Sequence, residues 1–118
     1  MPTNSTRIKH YPMMDEKVLS KIKETLSKNM PKDGKAILFG SRARGDNRAD
    51  SDWDILIVLD KEHLDNNDYL HVSYPLTLLG TDINEEINPI MYTKQQWEAN
   101  HFTPFYHNVN KEGKVLWA

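Results

Sequence analysis

Phe39-Gly40-Ser41-Arg42-Ala43-Arg44-Gly45-Asp46 and, four residues on, Ser51-Asp52-Trp53-Asp54-Ile55-Leu56-Ile57-Val58-Leu59 decide how this chain is read. Ile55 to Leu59 is an unbroken aliphatic run and the strongest strand signal in the sequence. Successive strand residues point to opposite faces, so Asp52 and Asp54 share one face while Trp53 and Ile55 share the other. Trp53 is therefore expected to pack away from the two carboxylates. Just upstream, Ala36-Ile37-Leu38-Phe39 is too brief for a helix and reads as a buried strand that ends in Gly40-Ser41.

Working outward, Val18, Leu19, Ile22, Leu26 and Met30 recur at helical spacing between Asp15 and about Met30, and Pro31 and Gly34 end that helix. Asn66 or Asn67 caps a second helix running to about Leu79, which Pro75 should kink or split. Ile87 to Tyr92 is a third strand, and Pro89 inside it argues for a sheet edge or a bulge. Thr93 with Gln96 forms a capping box. Thr103, Pro104 and Gly113 bracket a last helix, and Val115-Leu116-Trp117 is a last short strand. Trp97, Phe102, Phe105 and Tyr106 are expected to form a core patch closing one end of the sheet. The order α-β-β-α-β-α-α-β implies an α/β (α+β) class: one mixed sheet flanked by helices in a single domain spanning 1–118, with residues 1–12 as a loose arm.

The chain has 118 residues, the size of one domain with one core. Its net charge of −2 carries no basic footprint for extended nucleic acid. There is no cysteine, which excludes disulfides and thiolate zinc sites. Its five histidines form no His-Glu-x-x-His arrangement. No apolar run is long enough to span a membrane and none resembles a signal peptide, so a cytoplasmic location is the default expectation.

Chemistry concentrates in the quoted stretch. Neighbouring carboxylates repel unless a cation lies between them, and hard divalent cations such as Mg²⁺ prefer oxygen ligands. Glycine after a strand permits close approach of backbone to a ligand, and a turn opening into a helix presents free N–H groups to phosphate. Ser41 adds a hydroxyl, and Arg42 and Arg44 add charge that can pair with phosphate oxygens. Taken singly, an Asp-x-Asp is most often a solvated strand end. The joint order of strand, Gly-Ser, Asp-x-Asp and apolar strand separates this chain from that background: one side would hold phosphates and the other metals, as phosphoryl and nucleotidyl transfer require.

Phe39-Gly40-Ser41 through Asp52-Trp53-Asp54-Ile55 resembles the signature of the DNA polymerase β nucleotidyltransferase superfamily, and Gly-Ser-Arg-Ala-Arg-Gly is similar to its minimal prokaryotic members. The resemblance implies Mg²⁺-dependent transfer of a nucleoside monophosphate from an NTP, ATP foremost, to an acceptor hydroxyl with release of pyrophosphate. It implies that Gly40 and Ser41 bind phosphates and that Asp52 and Asp54 ligate two Mg²⁺ ions. Family members often add a third carboxylate from a neighbouring strand. Glu86 is the candidate here, with Asn88 on the same face as the alternative. An antitoxin-like module pairing with a HEPN-type helical partner, with or without AMP transfer to it, is the alternative function. A nucleotide-sensing domain is a third reading, which the intact aspartates disfavour. A homo-oligomer or a protein partner is expected to cover the open acceptor side.

Overall fold

A computed structural model describes residues 15–118 of the chain; the arm expected at 1–12 lies outside them. Helix α1 (Asp15–Asn29) buries Val18, Ile22 and Leu26, each four residues from the last. Strand β1 (Lys35–Phe39) leads into a single helical turn, α2 (Ser41–Arg44), and then into β2 (Trp53–Leu59). The second expected helix is divided into α3 (Asn66–Asp68), a π-helical stretch Tyr69–Ser73 and α4 (Tyr74–Ile83). Pro75 falls at the start of α4. Proline has no N–H to donate, so the change of hydrogen-bond register just before it absorbs the break. Asn84, at φ 59, ends α4. Strand β3 (Ile87–Thr93), helices α5 (Lys94–Ala99) and α6 (Pro104–Glu112), and strand β4 (Lys114–Trp117) complete the chain. The Thr93–Gln96 capping box opens α5, and the Thr103 hydroxyl caps α6.

The four strands form a mixed sheet in the order β3-β2-β1-β4. Strand β1 runs antiparallel to both β2 and β4, while β2 and β3 are parallel, joined by the helical crossover. Strand β3 is thus an edge, which is where Pro89 can forgo a ladder bond. One sheet face packs Trp53, Ile55, Ile57 and Leu59 with Val18, Ile22 and Leu26 of α1 and Leu76 of α4. The other packs Ile37, Leu56 and Val58 with Trp97 and Val109. The aromatic patch expected near the C-terminus is centred on Trp97, whose ring lies 5.4 Å from Phe105 and 4.9 Å from Tyr106. Phe102 does not join it. It is 74% exposed, on the turn between α5 and α6. No helix among the described residues is long and apolar enough to cross a membrane.

Candidate active site

In the β1–β2 ladder Phe39 lies opposite Asp54, so the chain leaves β1 beside that carboxylate. Gly40 follows at φ 77, ψ -159, a conformation essentially reserved for glycine. A Cβ built there would stand 2.6 Å from Asp54 Oδ2. Two constraints, backbone angle and contact, therefore demand the same residue. The Gly40 carbonyl accepts from the N–H groups of Ala43 and Arg44, at 3.0 and 3.1 Å, which winds α2. Gly45, at φ 86, closes it by donating to the Ser41 carbonyl at 2.9 Å. The first N–H groups of such a turn have no acceptor within it, and this end of α2 lies next to Asp54.

Asp52 and Asp54 emerge on the face opposite buried Trp53. Asp52 is exposed and Asp54 half-buried. On the neighbouring strand Asn88 is in register with Asp54, and its amide Nδ2 donates to Asp52 Oδ2 at 2.8 Å. Partial burial pushes the Asp54 carboxyl above its usual range, and the charge of Asp52 adds to this; the Asn88 amide pulls the other way. The Asp54 carboxylate thus carries a charge that its partial burial disfavours, relieved in part by one amide. Carboxylate oxygens side by side, against a turn where a side chain would collide, are a donor set suited to a hard cation and its phosphate ligand.

The remaining expected residues are placed differently. Glu86 is exposed and precedes β3, with its backbone carbonyl accepting from Trp53 N–H at 2.8 Å. Among the described residues no third His, Cys, Asp or Glu gathers into a metal-holding group. The side chain that meets the aspartate pair from β3 is that of Asn88, because the parallel register sets it, not Glu86, opposite Asp54. Arg42 also departs from its expected phosphate role. Its side chain is only 3% exposed. The guanidinium donates to the carbonyls of Ser51 and Ala49 and to Asp15 Oδ1. It also lies 3.7 Å from Glu85 Oε1 and 4.4 Å from the centre of the Trp53 ring. Arg44 stays at the surface, paired with Asp46 at 3.1 Å and Glu112 at 3.6 Å. Sequence reasoning missed Glu85, whose buried carboxylate accepts from Trp53 Nε1 at 3.0 Å. No spacing signal links positions 42, 53 and 85.

A mixed sheet with a glycine turn facing paired carboxylates across adjacent strands defines the nucleotidyltransferase class. Residues 20–118 match the family model described as Polymerase beta, Nucleotidyltransferase. The chain belongs to this family and is a nucleotidyltransferase. It is 36% identical over 106 residues to a Methanocaldococcus jannaschii protein provisionally named a protein adenylyltransferase, covering 89% of this chain and 100% of that one. Among solved structures it is similar to a chain of a toxin–antitoxin complex with AMP-PNP (TM-score 0.57, 24% identity, 85% of this chain and 73% of that one). It is also similar to a chain of a substituted MntA–HpeT toxin–antitoxin complex (TM-score 0.57, 25% identity, covering 84% and 71%). A third likeness is to a chain of the Shewanella oneidensis complex of tri-AMPylated HEPN toxin with MNT antitoxin (TM-score 0.55, 21% identity, covering 89% and 73%).

Proposed function

We propose that the chain transfers AMP from ATP to a hydroxyl of a protein, with release of pyrophosphate and with Asp52 and Asp54 holding two Mg²⁺ ions. The observation that carries this reading is the Gly40–Asp54 contact, which sets a turn fit for phosphate directly against a carboxylate pair. Bound Mg²⁺ would supply charge for the leaving pyrophosphate and lower the pKa of the attacking hydroxyl. The backbone at Gly40 and Ser41 and the Ser41 hydroxyl hold the terminal phosphates, which orients the α-phosphate for in-line attack. The acceptor oxygen bonds to the α-phosphorus as the bond to the bridging oxygen breaks. Asn88 steadies Asp52 but has no basic atom, so the hydroxyl proton leaves to the aspartate pair or to water.

Protein as the acceptor class, and ATP as the donor, rest on the name of the M. jannaschii relative. An antitoxin-like module that pairs with a HEPN-type helical protein, with or without AMP transfer to it, is the second reading, favoured by the likeness to chains of toxin–antitoxin complexes. The test is incubation with α-³²P-labelled ATP, Mg²⁺ and lysate from the source cells. The expected result is a labelled protein band that disappears with EDTA and with Asp54→Asn. Absence of any labelled band, with all four NTPs tried, would sink the proposal.

A further inference from the structure

Arg42 belongs to the motif but does not face the aspartate pair. It runs underneath, into a junction of five segments. Nε donates to the Ser51 carbonyl at 3.2 Å, and Nη2 to the carbonyls of Ser51 and Ala49 at 3.0 and 3.1 Å. Nη1 reaches Asp15 at the start of α1 at 3.0 Å. Glu85, from the turn before β3, is 6% exposed and supplies a nearby negative charge, and the Trp53 ring carries the guanidinium on its face. The residue that follows Ser51 is Asp52. The residue that precedes Arg42 is Ser41. One side chain therefore ties the phosphate-side turn to the loop that delivers the first aspartate.

We infer that Arg42 is a positioning residue for the transfer reaction: its guanidinium, seated on Trp53 and Glu85, locks the 45–52 loop so that Asp52 stands in register with Asp54 and the Gly40–Ser41 turn. A planar fork is needed because donors must diverge toward two carbonyls and the Asp15 carboxylate at once, which a lysine ammonium cannot do. Without the fork, α2 and β2 would still form, since glycine geometry and the sheet ladder specify them. The loop between them would lose its anchor. Ser51 and Arg48 would keep only their mutual bonds, at 2.8 and 3.1 Å.

This inference rests on the assignment of Asp52 and Asp54 to the metal–nucleotide site. Removing Arg42 alone would leave Glu85 as an uncompensated buried charge and endanger the fold. The informative variant is Arg42→Met with Glu85→Gln, which removes both charges, keeps the apolar stem and retains an acceptor for Trp53 Nε1. Arg42→Lys is its companion, keeping the charge without the fork. Two measurements are made on each full-length protein: titration with Mg-AMP-PNP and amide hydrogen exchange. In both variants the expected Kd is weaker by about 10–100-fold, the range for loss of a group that orients a ligating side chain. The amides of Arg48 and Ser51 should exchange at least about tenfold faster while those of Ile55 to Val58 keep their protection. A merely structural role would reduce the number of binding-competent molecules and leave Kd unchanged. That outcome, or wild-type loop protection in a folded double variant, overturns the inference. If the wild type itself takes up no Mg-AMP-PNP, the site assignment fails, and the exchange data alone decide whether Arg42 locks the loop.

Discussion

The two faces of β2 are made by alternate residues of one strand and have opposite fates. Trp53, Ile55, Ile57 and Leu59 look toward α1 and α4 and are sealed. On the other face, Leu56 and Val58 are covered by Trp97 and its neighbours, but Asp52 and Asp54 stand at the uncovered end. Burial holds the first face together. The second carries clustered negative charge that burial disfavours, and it is retained next to a glycine turn whose backbone is itself unusual. The pleat of the strand thus separates the residues that hold the fold from those proposed to carry the chemistry, and substitutions on the two faces should separate the two effects in the test tube.

The largest effect is expected on the sealed face. Trp53→Ala removes a ring that is 3% exposed, the seat of Arg42 and a hydrogen bond to Glu85. It should cost about 3–5 kcal/mol of stability, read from denaturant unfolding without metal. A cost below about 1 kcal/mol would mean the two faces do not differ as described.

Gly40→Ala comes next. The side chain meets both a disfavoured backbone region and Asp54 Oδ2, so a loss of about 1–3 kcal/mol is expected. Mg-ATP binding should fall as well, because Asp54 must move. Calorimetric titration of the folded variant with unchanged affinity would show that the close approach serves the fold alone.

Asn88→Asp sharpens the contrast further. It replaces the donor on Asp52 with a third carboxylate. Metal-free stability should fall by about 1 kcal/mol, the scale of one exposed hydrogen bond lost, while Mg²⁺ affinity rises. Paired melting curves with and without Mg²⁺ should show the metal-induced gain larger than in wild type. Equal gains would remove Asn88 from the site.

Asp54→Asn is the smallest in stability and the largest in activity. Partial burial raises the Asp54 carboxyl above its usual range, so the folded state holds its proton more tightly than the unfolded chain does. The contribution that favours folding is therefore present at low pH and is lost as pH rises through the raised folded value. The asparagine variant should be as stable as wild type or slightly more so at neutral pH without metal, an advantage that shrinks as pH falls into the ordinary carboxylate range. Nucleotidyl transfer should be abolished. Melting curves across pH, beside a labelled-ATP assay, read both. A strongly destabilised metal-free variant would make Asp54 a structural acceptor.

Much of this was legible because it is local. Two-residue alternation put Asp52 and Asp54 on one face and Trp53 on the other, and the structure keeps that division. Caps at Thr93 and Thr103, the break near Pro75 and the edge position of Pro89 all follow from properties of single residues and their immediate neighbours. Phe102 misled because hydrophobicity alone does not say which side of a turn a residue takes. What the tertiary structure alone decided concerns partners far apart in the chain. The parallel register of β3 on β2 sets Asn88 rather than Glu86 at the aspartates, a choice made by how the crossover helix packs. The descent of Arg42 beneath the site depends on Asp15, Trp53 and Glu85 meeting at one point. An arginine in a polar stretch has the same signature in sequence whether it will face a phosphate or lie buried. Only the assembled packing, by supplying carbonyls and carboxylates enough to satisfy a buried cation, determines which.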